Sequence, residues 1–169
     1  EGAIEAERLA KVSAYKLAVP TSMNPDSALA AKQDLFEKGY KLEFLGSNEL
    51  REEKGIYIYA MVKEDSLEPI NIVCRGTSND ASLIADLDPR GPGHSAVSAH
   101  NDGLMQDINA LAKKYPGRKV RLIGHSLGGA LAQILSSNML NERVNACVNA
   151  TNSAYPELKK ITSLETVLF

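Results

Sequence analysis

Gly124-His125-Ser126-Leu127-Gly128-Gly129 is the stretch on which the reading of this chain turns. A mostly apolar run, Val120 to Ile123, precedes it, and a helix-forming run, Ala130 to Leu135, follows. Strand, G-x-S-x-G and helix in that order make a nucleophile elbow, a reversal so tight that the serine backbone is strained and its hydroxyl projects from the sheet. Gly124 and Gly128 stand two before and two after the serine, where a larger side chain collides across the turn. The first free N–H groups of the helix, beginning at Leu127, face the space beside Ser126 and can hold a developing oxyanion. Ser126 is the candidate nucleophile.

The bulk composition narrows the setting. At 169 residues the chain is one domain by length and can bury a proper core. Its 44% hydrophobic and 24% charged content are those of a soluble globular protein. A net charge of −2 leaves no basic excess, which argues against nucleic acid as a partner. No apolar run approaches the ~20 residues of a membrane span. A small apolar patch touching a lipid surface transiently stays open. Cys74 and Cys147 fall in segments that read as β-rich and are expected to be buried, reduced and unbridged. Neither has a histidine at metal-clip spacing, and no metal or organic cofactor is expected. The cysteines lean toward a reducing, cytoplasmic compartment, and no signal-peptide pattern is visible. The chain opens at Glu1, so a processed or excised portion of a longer protein is expected.

Two grammars follow one another along the chain. Ile4 to Leu17 mixes charged and apolar residues in helical fashion, and Asn24-Pro25 opens a helix that Gly39 ends. Tyr40, Leu42 and Phe44 alternate with charged residues, as do Ile56, Ile58, Ala60 and Val62 with their neighbours. Ile70 to Cys74 makes a third strand after the turn-prone Glu64-Asp65-Ser66. These predict an antiparallel start to a sheet. From residue 76 helix and strand alternate: a short helix over Asp80–Leu87, then Leu104, Ile108, Leu111 and Tyr115 on one helix face stopped by Pro116-Gly117. The strand into the elbow, a helix over Leu127–Leu140 and a strand over Val144–Ala150 complete the prediction. Strand-helix-strand implies a right-handed crossover and a parallel sheet with ligands beyond its carboxyl ends.

Three segments then resemble the class 3 lipases, the fungal triacylglycerol lipase family. Ile72-Val73-Cys74-Arg75-Gly76-Thr77-Ser78 followed by Leu83-Ile84-Ala85-Asp86-Leu87 is similar to that family's F-R-G-[ST] … D-L segment. His100-Asn101-Asp102-Gly103-Leu104 looks like its H-x-G-F motif with one residue added, and the elbow matches nearly letter for letter. Cys74 and Leu104 stand where the family has phenylalanine. The resemblance implies an α/β-hydrolase-type three-layer domain, with a mostly parallel sheet and antiparallel N-terminal strands. It implies Ser126 as nucleophile, and an oxyanion hole from Thr77 and the Leu127 N–H. It also implies a lid over Asp80–Leu87 with Leu83 and Ile84 on its apolar face, a plain core-packed helix being the alternative. Arg75, Asp86 and His100 read as structural, the arginine and aspartate as a pair fixing the strand-to-helix geometry.

A serine hydrolase of this fold takes its acid and then its histidine from downstream of the nucleophile. After Ser126 there is no His and no Asp, only Glu142, Glu157 and Glu165. Three readings compete. Residues 1–169 are an N-terminal portion of a longer catalytic domain whose later residues, or a partner segment, complete the triad. Alternatively His100 with Asp102 or Asp107 is recruited from upstream. In the third, the domain is non-catalytic and binds a lipid or protein partner. The expectation taken forward is a serine hydrolase cleaving carboxylic esters of lipids through an acyl-enzyme.

Overall fold

Gly39, at φ +89°, accepts a backbone conformation other residues resist, and it turns the helical residues 33–37 into the first strand. The computed structural model describes residues 33–52, 55–75, 94–124, 127–149 and 151–168. Strand β1 (Tyr40–Leu45) leads through the short helix α1 (Asn48–Glu52) to β2 (Tyr57–Lys63) and β3 (Ile70–Arg75). Helices α2 (His94–Ala99) and α3 (Asn101–Lys114) precede β4 (Val120–Gly124). The long helix α4 (Leu127–Val148) and a 3-10 turn (Pro156–Lys160) then lead to β5 (Leu164–Leu168).

The five strands form one mixed sheet in chain order, β1-β2-β3-β4-β5. The first two pairings are antiparallel and the last two parallel, so four strands run one way and β2 alone is reversed. This is the antiparallel start and mostly parallel sense that the strand patterns predict. Alternation splits the strands between two cores. Ile58, Ala60, Ile70, Ile72, Cys74, Val120 and Leu122 meet α3 and α4 on one face. Tyr59, Met61, Val73 and Ile123 join Leu35 and Tyr40 on the other. Phe44 lies toward this second face at the sheet edge and is half exposed, so β1 is less covered than its alternation suggests.

Helix α3 buries Leu104, Met105, Ile108, Leu111 and Ala112, as its spacing predicts. Each large side chain contributes about 1.5–3 kcal/mol, far above the ~1 kcal/mol that Gly103 costs inside a helix. Gly117, at φ +79°, ends the connection after Pro116. Arg118, itself buried, donates to the carbonyls of Lys63 (2.7 Å) and Glu64 (2.6 Å) and pins the β2–β3 turn.

The segment 144–150 departs from expectation. Its residues 144–148 continue α4, and the next strand is β5, twenty residues later than predicted at Leu164. The buried residues Leu131, Leu135, Met139 and Ala146 keep the helical period past Leu140, and no Gly or Pro intervenes before Pro156. Val144 and Val148 point outward, 52% and 82% exposed, as α4's outer face. Arg143 donates to the carbonyls of Ile161 (2.9 Å) and Thr162 (3.2 Å), which fixes the lead-in to β5. Both cysteines are free, but only Cys74 is buried; Cys147 is exposed because its segment is helical, not a strand flanking β4. No described helix is long and apolar enough to cross a membrane.

Candidate active site

Leu45, Ile58, Cys74, Gly124 and Leu168 stand opposite one another in a single row across the sheet. At this row β1, β3, β4 and β5 all reach their carboxyl ends, the side on which ligands of such sheets sit. Strand β4 stops at Gly124 and α4 starts at Leu127. The glycines on either side interlock. A Cβ added at Gly124 would overlap the carbonyl oxygen of Gly128 and stand 2.5 Å from the Gly129 nitrogen. One added at Gly128 would overlap the carbonyl oxygen of Cys74 and lie 3.4 Å from the Cα of Arg75. The obstacles are backbone atoms, which cannot swing aside as side chains do. Only glycine fits either position, and the amino end of α4 is thereby seated on the last residues of β3. Unpaired N–H groups and the positive end of a 22-residue helix dipole gather at that corner.

His125, Ser126, Thr77, Leu83, Ile84 and Asp86 lie outside the described residues, while Leu127 is the first residue of α4. Arg75, last residue of β3, is 6% exposed. Its guanidinium lies 4.5 Å from the ring centre of Tyr57 and 5.5 Å from that of Tyr59. The sequence marks Arg75 through its R-G-T segment and an expected pairing with Asp86, which lies outside the described residues, but not through the tyrosines that alternate on β2.

The upstream candidates are engaged elsewhere. His100 Nδ1 is 3.5 Å from Ser47 Oγ, and Ser47 follows β1, three strand spacings or roughly 14 Å from β4. Asp107 accepts the Gly46 N–H at 2.8 Å, and Asp102 accepts the Tyr155 hydroxyl at 2.9 Å. The downstream glutamates are no nearer the elbow. Glu142 is four turns along α4, about 22 Å from Leu127 at 1.5 Å per residue. Glu157 pairs with Lys160, which with Lys113 and Lys159 holds its carboxyl below the usual range. Glu165 pairs with Arg121 at 3.0 Å, in mid-strand. A groove of about 770 Å³ lies over β1 between Phe36, Tyr40, Leu42, Val62 and Tyr115. No described cluster of His, Cys, Asp or Glu could hold a metal ion.

Comparison with known proteins places these features. Residues 71–158, just over half of the chain, match the family described as lipase (class 3). Among solved structures the chain is similar to a fungal lipase–inhibitor complex described as a model for interfacial activation in lipases. The identity is 21% and the TM-score 0.54, over 82% of this chain and 56% of that one. This chain thus spans little more than half the length of that neighbour, and the likeness is one of α/β-hydrolase fold. No curated protein sequence matches.

Proposed function

This chain belongs to the class 3 lipase family, and from that membership we propose that it is the nucleophile-bearing portion of a serine hydrolase acting on carboxylic esters of lipids. Ser126 Oγ attacks the ester carbonyl carbon while a base takes its proton. The carbonyl oxygen becomes an oxyanion held by the Leu127 N–H and by Thr77. Collapse expels the alcohol, which takes the proton, and leaves an acyl-enzyme. Water then repeats the sequence to release the fatty acid and regenerate Ser126.

The observation that carries this reading is the interlock of Gly124, Gly128 and Cys74. A chain with no use for an elbow gains nothing by seating a helix on a strand end so tightly that two positions tolerate glycine alone. The fit brings the N–H groups of α4 beside the strand that runs into Gly76-Thr77, as an oxyanion hole built from both requires. The acid and base come from polypeptide outside these 169 residues, a following stretch or a partner segment.

A fluorophosphonate probe tests the proposal directly. Labelling at Ser126 once the completing segment is supplied, lost in Ser126→Ala, is expected. Ester hydrolysis by the chain should rise when the completing segment is supplied. A second reading, a lipase-like domain that binds a lipid or protein partner without turnover, draws on one observation: Asp102 and Asp107 are already committed to Tyr155 and to the Gly46 N–H. It predicts no labelling and unimpaired partner binding by Ser126→Ala.

A further inference from the structure

Arg75 poses a physical problem that the lipase reading leaves untouched. Its side chain is 6% exposed, and its Nη1 is fully buried with no hydrogen-bond partner. Among the described residues no carboxylate pairs with it. A buried cation with no carboxylate among the described residues is a costly arrangement unless an anion satisfies it.

The surroundings say which anion fits. Alternation along β3 puts Arg75 on the same sheet face as Val73, in the smaller core with Tyr59, Ile123 and the partly buried Val167. Tyr57 stands directly opposite it in the β2–β3 register. The rings of Tyr57 and Tyr59 lie close to the guanidinium, and Phe44 stacks against Tyr59 at 5.0 Å. The Nη1 group is left for a partner, and a guanidinium N–H matches a carboxylate oxygen. Aromatic and aliphatic walls favour a monoanion with an apolar tail over a phosphate, whose greater charge costs more to desolvate.

We propose that Arg75 binds the carboxylate of a fatty acid, holding the acid product at the carboxyl end of β3, one residue before Gly76-Thr77. The identification of the ligand as product rests on the lipid-ester reading above; the anion site itself rests on Arg75.

The test is calorimetric titration and thermal melting of the intact chain with sub-micellar dodecanoate, with dodecanol and inorganic phosphate as controls, in wild type and Arg75→Met. Methionine fills a similar volume without a charge, so the ligand-free variant is expected to melt at or above the wild type. Dodecanoate is expected to raise the wild-type Tm and to bind Arg75→Met at least about tenfold more weakly. Dodecanol and phosphate should bind neither protein comparably. Equal binding of dodecanol and dodecanoate, or of dodecanoate by both proteins, overturns the proposal. So does a ligand-free Arg75→Met that melts well below wild type, since that reveals a carboxylate of the chain itself as the partner. Fluorophosphonate labelling of the same samples, with the completing segment supplied, reports on Ser126 separately. Labelling lost with carboxylate binding kept sinks the hydrolase reading and spares the anion site; the reverse pattern sinks the site alone.

Discussion

The phenol of Tyr155 donates a 2.9 Å hydrogen bond to Asp102, tying the segment after α4 to the first turn of α3. Burial first, and then the bond to and charge of Asp102 with a contribution from Glu142, push the phenol up to about 12. An unfolded tyrosine titrates near 10, so the native chain keeps this proton where the unfolded chain loses it. The stabilisation is complete below about pH 10 and is lost as pH rises from there toward 12. Denaturant midpoints measured across that window should fall. Tyr155→Phe should flatten part of the fall and cost about 1 kcal/mol at pH 7, since exposed Asp102 can turn to water. Tyr40, raised by its own burial and by Glu68, supplies a share of the remaining slope. An unchanged pH profile in Tyr155→Phe would remove the tie from the account of stability.

Two helical glycines should respond to alanine in opposite directions. A Cβ at Gly103 meets nothing within 4 Å, so Gly103→Ala should stabilise by about 0.5–1 kcal/mol through the loss of unfolded-state freedom. At Gly128 the same change collides with the Cys74 carbonyl and must prise α4 from β3. Gly128→Ala should destabilise by about 3 kcal/mol or more, the upper end for overpacking, because backbone cannot yield as side chains do. Chemical denaturation of the two variants checks both signs. A neutral Gly128→Ala would mean that α4 does not rest on β3 in solution.

The two thiols should separate cleanly under alkylation. Cys74 is fully buried, and burial alone pushes its thiol up to about 12, so almost no thiolate exists at neutral pH. Cys147 lies exposed on α4. Iodoacetamide on the folded chain should modify Cys147 within minutes and spare Cys74 until denaturant is added, as peptide mass mapping will show. Modification of Cys74 at a comparable rate would contradict the packing of β3 against α4.

Where a single period or a rigid turn governs, the residues are readable in advance. The α3 stripe and the antiparallel strands are local in origin, and the structure has them where the pattern puts them. Residues 144–148 read as part of a strand because valine and cysteine suit one, yet they are helical. What holds them in a helix is the far-off seat of Met139 and Ala146 against the sheet, together with Arg143 bonding to Ile161 and Thr162. Cys147 was misplaced with them. Of the site, the need for glycine at 124 and 128 is legible, but the packing of Arg75 on Tyr57 and Tyr59 is not. It depends on which side chains two antiparallel strands bring opposite each other, and no spacing along the chain encodes that.

The part played by His100 is the last point that experiment can decide. If His100 were a recruited base, it would have to reach the elbow at the end of β4. Its imidazole instead meets Ser47 beyond β1, and the hydroxyl of Ser47 is also the acceptor for the Leu50 N–H that opens α1. Both aspartates that could orient it have other partners. With the completing segment supplied, His100→Ala should therefore leave fluorophosphonate labelling of Ser126 within about twofold of wild type. A recruited base, by contrast, contributes on the order of 10²–10⁴-fold. The variant should lose at most about 1 kcal/mol through the weakened Ser47 contact. Ser126→Ala, assayed beside it, should abolish labelling while leaving the denaturation midpoint close to wild type. A collapse of labelling in His100→Ala, with its fold intact by circular dichroism, would restore the upstream histidine as the base and remove the need for a completing segment.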